Sequence, residues 1–285
     1  PETISALSSN PNITKLRVLA ASHEIQATGI RALADAAFAP SLKRLDLCGA
    51  SIDVEAARAF AEATTFTSLE RLLLRNNYRL GNEGVAILAN SPNLDGLIEL
   101  DLGRSGVGDE GVIALGNATG LRGLRRLGLS GNTIHKKGAE ALTKAHFADQ
   151  LDLLVLSWNK LGDDGVEALL SGGSFPNLER LDLTDNGLGD GALVALSEAT
   201  QLQSLLYLSV SNTTFSKEAA EKLANAAHLT SLEELHIICY TDGTEDILTT
   251  SPHIGEAAAF GQARKSQVFW PTWLDAGKKE PFSFD

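Results

Sequence analysis

A leucine frame that recurs about every 27 residues is the feature that most constrains how this chain can fold. Eight copies read L-x-x-L-x-L, with Val or Ile at the last position in two of them, and their first leucines are spaced 27, 28, 27, 27, 27, 27 and 27 residues apart. These first leucines are Leu42, Leu69, Leu97, Leu124, Leu151, Leu178, Leu205 and Leu232. A weaker copy, Leu16-Leu19-Ala21, precedes them, so the pattern predicts about nine stacked units of one repeating structure.

Each repeat combines the alternation of a strand with the spacing of a helix. The leucine frame has the apolar alternation of a short strand, whereas later residues such as Val112 and Leu115 stand at helical spacing. Strands pack about 4.8 Å apart and helices about 8–10 Å apart, so a stack of such units bends. The sequence therefore predicts an α/β solenoid with a parallel sheet on the concave side and helices on the convex side.

Polar residues recur at two positions of the loop between strand and helix. The first is an Asn, expected to bond the loop backbone of neighbouring repeats. It is occupied by Asn77, Asn132, Asn159 and Asn186. Ala50, Ser105 and Thr213 interrupt this ladder, and looser loops are expected there. The second position is interpreted as the N-cap of its own helix. It is occupied by Asn82, Asp109, Asp163 and Asp190.

These repeats resemble the leucine-rich repeat family, and the full helix in each unit resembles its ribonuclease-inhibitor-like class. The resemblance covers roughly residues 13–240 and implies a right-handed curved solenoid. We expect the solenoid to occupy residues 1–240, with residues 1–15 as an N-terminal cap or the end of a preceding repeat. Residues 241–285 are expected to form a C-terminal capping segment. Its aromatic stretch, residues 268–274, is interpreted as a plug over the last repeat, with a peptide-binding site as the alternative.

The charge of the chain argues against two classes of partner. Lys and Arg total 24 against 36 Asp and Glu, a net charge of −12 at pH 7. A negative chain opposes attraction to phosphate backbones and anionic lipids, so neither nucleic acid nor membrane is expected as a partner. With no signal peptide or spanning segment in the sequence, we expect a monomeric cytoplasmic protein. Cys48 and Cys239 lie seven strands apart in the predicted solenoid, too far for a disulfide between them.

No pattern in the sequence indicates a catalytic, metal or cofactor site. The six histidines are scattered without the spacing of metal ligands. Residues 187–191 resemble a phosphate-binding loop, but residues 161–165 hold the same place in the preceding repeat, so the repeat itself accounts for them. We therefore expect neither a cofactor nor a metal.

On the concave face the sixth repeat departs from the others. Where most repeats carry Arg, Asp or Glu, it carries Leu153 and Val155, with Trp158 further along. An exposed apolar patch rimmed by arginines has the composition of an interaction hot spot. The predicted partner-binding residues are Leu153, Val155, Trp158, Tyr207, Arg126, Arg180, Arg104 and Arg75. The alternative is that Trp158 packs down over its own loop as a structural residue.

The sequence thus predicts a non-enzymatic module that binds a protein partner through its concave face and adjoining loops. Two alternatives stay open. One is a GTPase-activating protein, because one branch of the resembling family has this activity, although no catalytic residue of that branch matches a position here. The other is the partner-recognition part of a bacterial effector that is delivered into a host cytoplasm.

Overall fold

The computed structural model describes residues 2–22, 24–210, 214–237, 244–254 and 258–259. The strands within these residues form one parallel sheet and follow one another in chain order. The strands are β1 (Val18–Ala20), β2 (Arg44–Asp46), β3 (Arg71–Leu73), β4 (Glu99–Asp101), β5 (Arg126–Gly128), β6 (Leu153–Val155), β7 (Arg180–Asp182), β8 (Tyr207–Ser209), β9 (Glu234–His236) and β10 (Ala258–Ala259). The helices are α1 (Glu2–Ser8), α2 (Gln26–Asp35), α3 (Val54–Glu62), α4 (Gly81–Ala89), α5 (Asp109–Gly116), α6 (Lys136–Leu142), α7 (Gly162–Leu170), α8 (Asp190–Glu198), α9 (Lys217–Ala224) and α10 (Thr244–Thr249). The predicted α/β solenoid is confirmed.

The strands align at equivalent positions of the repeat. Leu45 pairs with Leu72, Leu72 pairs with Leu100, and the same register continues through Leu127 and Leu154. The constant period is the cause, because repeats of nearly equal length bring identical positions side by side in a parallel ladder. Each helix packs against the helix of the next repeat, so the fold has one layer of strands and one of helices.

The apolar core lies between these two layers. The leucines of the frame are buried, and Leu42, Leu45 and Leu47 have no exposed surface. A second buried row stands three or four residues before each frame, where the chain returns from helix to strand. Its members are Phe38, Phe66, Leu94, Leu121, Phe147, Phe175, Leu202 and Leu229. Because truncating a fully buried Leu to Ala typically costs about 2–5 kcal/mol, this shared core holds neighbouring repeats together.

The predicted asparagine ladder connects the loops of neighbouring repeats. Asn132 is buried, and its side-chain amide donates to the carbonyls of Leu102 and Leu129, each at 2.9 Å. Its Oδ1 accepts from the N–H of Val107 at 3.0 Å. One asparagine therefore satisfies backbone groups of two repeats, which explains a polar side chain in a buried loop.

The expectation of a looser loop at Ser105 is wrong. Ser105 is fully buried, and its Oγ donates to the carbonyl of Leu74 in the preceding repeat at 2.9 Å. The shorter side chain thus forms one of the inter-repeat bonds that asparagine forms elsewhere. Ala50 is also fully buried. Thr213 lies outside the described residues.

The second polar loop position caps the helix of the following repeat. Asp163 lies in the first turn of α7, but its Oδ1 accepts from the N–H of Gly189 at 2.6 Å and its Oδ2 from that of Gly191 at 3.1 Å. Both donors belong to the start of α8, where free N–H groups and the helix dipole favour a carboxylate. The same bridge to the next repeat is formed by Asn82, Asp109 and Asp190. The prediction that these residues cap their own helices is wrong.

The ends of the described chain continue the stack. Helix α1 packs against α2, and α10 packs against α9. Strand β10 pairs with β9 through Ala258 and Leu235. The boundaries expected for an N-terminal cap and a C-terminal capping segment stay predictions, and residues 268–274 lie outside the described residues.

Candidate functional site

The first and third residues of each strand point away from the helices and form two rows on a surface that we call the concave face. The first row contains Arg44, Arg71, Glu99, Arg126, Leu153, Arg180, Tyr207 and Glu234. The second row contains Asp46, Leu73, Asp101, Gly128, Val155, Asp182, Ser209 and His236. Because the register is constant, each side chain lies beside the equivalent side chains of the adjacent strands.

Leu153, Val155 and Tyr207 lie on this face but are covered, with exposed fractions of 3%, 3% and 8%. The prediction that they form an exposed apolar patch is wrong. Leu153 stands in register between Arg126 and Arg180. A side chain as long as arginine can lie over a neighbour about 4.8 Å away. Strand alternation predicts the face on which a side chain lies, whereas its exposure depends on the adjacent strands.

Trp158 stays accessible, with 39% of its surface exposed. Its φ is +59°, in the left-handed region that bulky side chains rarely adopt. The same loop position is left-handed in six consecutive repeats, at Gly49, Asn76, Arg104, Gly131, Trp158 and Asp185. The N–H of Trp158 donates to the carbonyl of Thr184 at 2.8 Å, so the ladder between repeats fixes this conformation. Trp158 is thus partly exposed, and the alternative that it packs down over its own loop stays a prediction.

Ion pairs engage the arginines in the middle of the concave face. Glu99 is buried, and its Oε2 lies 3.6 Å from Nε of Arg71 and 3.8 Å from Nη1 of Arg126. Nε of Arg126 also lies 3.4 Å from Oδ1 of Asp152. Burial raises the pKa of Asp152, and the charge of Arg126 opposes that increase. Arg126, one of the predicted partner-binding residues, thus already has two carboxylates beside it.

Arg75 crosses the neighbouring repeat and is itself buried. Its Nη1 donates to Oγ of Ser130, two repeats away, at 2.9 Å. Gly103 lies between them, and a Cβ at that position would stand 2.8 Å from Nη1 of Arg75. The carboxylate of Asp101 accepts from the N–H of Gly103 at 2.8 Å. Burial raises the pKa of Asp101 to about 7, against the lowering effects of the Gly103 hydrogen bond and the Arg75 charge.

The remaining two predicted arginines are more accessible. Arg104 is exposed, and its side chain lies over Gly131, where a Cβ would come within 2.6 Å of Cγ of Arg104. Arg180 is half-buried beside Leu153. The predicted binding residues therefore divide into an accessible group, with Trp158 and Arg104 the most exposed, and the buried Leu153, Val155, Tyr207 and Arg75.

The thiol of Cys48, two residues after β2, is not activated as a nucleophile. Burial, with the Asp46 carboxylate nearby, raises the pKa of the Cys48 thiol to about 12, so it is protonated at neutral pH. Burial also raises the pKa of Tyr207, whose ring centroid lies 5.1 Å from that of His236. Among the described residues no group of His, Cys, Asp and Glu is arranged to hold a metal ion. Cys239 lies outside the described residues, so its expected lack of pairing with Cys48 stays a prediction.

A family model described as Leucine Rich repeat matches residues 97–116, 122–142, 152–170 and 176–197. Each matched segment contains one strand and the helix that follows it. Four repeats of this chain, within residues 97–197, therefore belong to the leucine-rich repeat family. An internalin-like protein of Listeria monocytogenes has a solved structure similar to this leucine-rich repeat protein, with a TM-score of 0.49 and 17% sequence identity, covering 84% of this chain and 66% of that chain. No curated protein matches the chain significantly. Within its described residues, the leucine-rich repeat protein has no helix both long and apolar enough to cross a membrane.

Sequence reasoning missed three accessible residues of this leucine-rich repeat protein. Tyr78 is 73% exposed, and Arg79 and Lys160 are exposed as well. All three lie in the loops just beyond the strand positions that define the concave face. Their signal in the sequence is an aromatic or basic residue one or two positions after the ladder residue Asn77 or Asn159.

Proposed function

We propose that this leucine-rich repeat protein is a non-enzymatic module that binds a protein partner through its concave face and adjoining loops. Trp158 is the observation that carries the proposal. It holds a large apolar side chain partly in water, at φ +59°, where a neighbouring repeat has Gly131. The left-handed conformation costs a non-glycine residue about 1–2 kcal/mol. A costly conformation that presents an aromatic side chain to solvent indicates a role in binding.

The surroundings of Trp158 support the same function. Arg104 is exposed two repeats before Trp158, and Arg180 is half-buried on the next strand; Trp and Arg are enriched in the centres of protein interfaces. Leu153 and Val155 of the same repeat are already buried, so their side chains lose little conformational freedom when a partner binds. In this proposal the protein acts as a monomer in a cytoplasm, and its partner is a different protein.

A capture experiment with paired variants tests this function. Trp158→Gly suits the left-handed backbone and removes the aromatic group, and it is combined with Arg180→Gln to alter the concave face. Lys137→Glu, an exposed change on α6, is the matched control on the helix side. We expect a protein captured by the wild type and by the control to be reduced at least tenfold with the concave variant, as measured by quantitative mass spectrometry. Loss with the control but not with the concave variant would contradict the proposal.

A further inference from the structure

Segments at equivalent positions after strands β3 to β6 contain no acidic residue, and three of the four contain Arg or Lys. They comprise residues 75–80, 103–108, 130–135 and 157–162, which include Arg and Lys but neither Asp nor Glu. The chain has 36 acidic residues in 285, so about three would be expected among these 24 positions. The equivalent loops on either side contain Asp53 and Asp185. Four of these 24 positions are Arg or Lys and none is Asp or Glu, so they form a locally cationic surface on an acidic protein.

Five exposed side chains, which we call the cationic rim, define this surface: Tyr78, Arg79, Arg104, Trp158 and Lys160. None of these side chains forms a hydrogen bond or ion pair with another described residue. The cations deeper in the concave face differ, since Glu99 lies beside both Arg71 and Arg126. The charge of the rim is thus available to a partner, whereas the charge below it is largely compensated.

The backbone that carries the rim is held in place before any partner binds. The N–H groups of Asn76, Arg104, Gly131 and Trp158 donate to carbonyls of the next repeat at 2.7–2.8 Å. Four consecutive loops are joined in this way into one rigid row. A surface ordered in advance loses less conformational entropy on binding, and this favours recognition of a flexible segment.

The dimensions of the rim suit a short peptide better than a nucleic acid. From Asn76 to Trp158 there are three strand spacings of about 4.8 Å, roughly 14 Å, which an extended segment of about five residues spans. Asp53 and Asp185 also limit the cationic surface at both ends, so a longer polyanion would meet like charge.

We propose that the cationic rim binds an acidic peptide segment of a partner protein, with carboxylates at Arg79, Arg104 and Lys160 and an aromatic or aliphatic side chain against Trp158. This inference rests on the proposed protein-binding function and adds the chemistry of the partner. Arginine pairs well with carboxylates, and tryptophan provides a large apolar contact.

Selection from a random twelve-residue peptide library, displayed on phage and panned against the full chain, tests the proposal. We expect the enriched sequences to be richer in Asp and Glu than the starting library. The best peptide, synthesised with a fluorescent label, should lose at least tenfold in affinity for the triple variant Arg79→Glu, Arg104→Glu and Lys160→Glu. Its binding should also weaken as salt rises. Circular dichroism melts of each variant verify the fold.

A control with the same change in net charge separates local recognition from long-range attraction. Lys137→Glu, Lys144→Glu and Lys217→Glu alter exposed residues on the helix side and should leave peptide affinity within threefold of wild type. Equal losses in both triple variants would overturn the proposal, as would enrichment of peptides that are not acidic. Tighter binding of a labelled twenty-nucleotide oligo-dT than of the best peptide would instead assign the rim to nucleic acid.

The outcomes also distinguish this inference from the function on which it rests. Peptides that resist the triple rim variant but lose affinity with Arg180→Gln, a change on β7 outside the rim, would overturn the rim proposal and leave the concave-face function standing. A library that yields no specific binder would contradict both.

Discussion

The backbone at Trp158 adopts a conformation that suits glycine, and this explains how one residue can matter to function while costing stability. Glycine occupies the equivalent position at Gly49 and Gly131, with φ of +67° at both. At Trp158 and Arg104 the same left-handed backbone conformation carries a non-glycine side chain. Both residues are exposed, so neither side chain recovers the cost by full burial in the core.

Replacing Trp158 by Gly and by Ala separates the backbone cost from the loss of the aromatic group. Both changes remove the indole, but only Ala retains a Cβ at φ +59°. We expect Trp158→Gly to be more stable than Trp158→Ala by about 1 kcal/mol in urea unfolding, because left-handed strain exceeds the greater unfolded-state entropy of glycine. Lys160, whose φ is not positive, is the control, and Ala should be at least as stable as Gly there. The same order at both positions would contradict the strain argument.

The asparagine ladder gives a second prediction at the scale of the residue. Asn132→Ala removes the bonds donated to the carbonyls of Leu102, Leu129 and Ser130 and those accepted from the N–H groups of Val107 and Ser105. Leaving buried backbone groups unpaired costs about 1–3 kcal/mol per group, so we expect a loss of roughly 3 kcal/mol in the free energy of unfolding. Ser105→Ala, which removes the bond to Leu74, should cost roughly 1 kcal/mol. Similar losses in the two variants, measured by urea unfolding, would show that the ladder bonds are not the cause.

At the scale of the element, each helix depends on the repeat before it. The start of α8 contains Gly189 and Asp190, and its free N–H groups are satisfied by Asp163 from the preceding repeat. Local sequence cannot reveal such a bridge, because the acceptor and donors are 26 and 28 residues apart. The stack therefore couples neighbouring helices through polar contacts as well as through the apolar core.

Removing the carboxylate of Asp163, a residue of α7, should loosen the start of α8. In Asp163→Ala we expect faster hydrogen exchange of the first amides of α8, with little change in α7, and a global loss of about 1 kcal/mol, as for other helix caps. Asp164→Ala is the matched control, since Asp164 is exposed and lies next in sequence. Loss of protection at the start of α7 instead of α8 would restore the simpler interpretation of Asp163 as the cap of its own helix.

The sequence was sufficient to predict the repeated strands and helices, but it did not predict every side-chain contact between neighbouring repeats. Leucines such as Leu45 and Leu72 predicted both the strands and their register, because a constant period leaves one way to stack the units. The strand face of Leu153 was predictable as well, from the alternation of the strand. Its burial was not, because the exposure of a strand side chain depends on the adjacent strands, whose paired residues are 27 positions away on either side. The accessible loop residue Tyr78 lay beyond the strand positions from which the concave face was predicted.

In the molecule as a whole, stacked repeats stabilise one another, so an unfavourable buried carboxyl group in the middle of the stack lowers the stability of every repeat. Asp101 on β4 is 2% exposed, close to Arg75 on one side and to Glu99 in its own strand. Asp46, two strands away, adds further negative charge. Burial dominates these influences and raises the pKa of Asp101 to about 7. An unfolded chain has an ordinary Asp with a pKa of about 3.9.

This difference gives the protein a pH dependence with a defined sign. Between about pH 4 and pH 7 the folded chain retains a proton on Asp101 that the unfolded chain has released, so stability falls as pH rises through this range. Asp101→Asn keeps an oxygen that can accept from Gly103 and cannot ionise. We expect the variant to gain stability relative to wild type from pH 4 to pH 8, measured by urea unfolding at each pH. Asp152 and Asp182, whose pKa values burial also raises, remain in both proteins and cancel in the comparison. A stability difference that stays constant over this range would mean that Asp101 is already ionised in the folded protein at acidic pH.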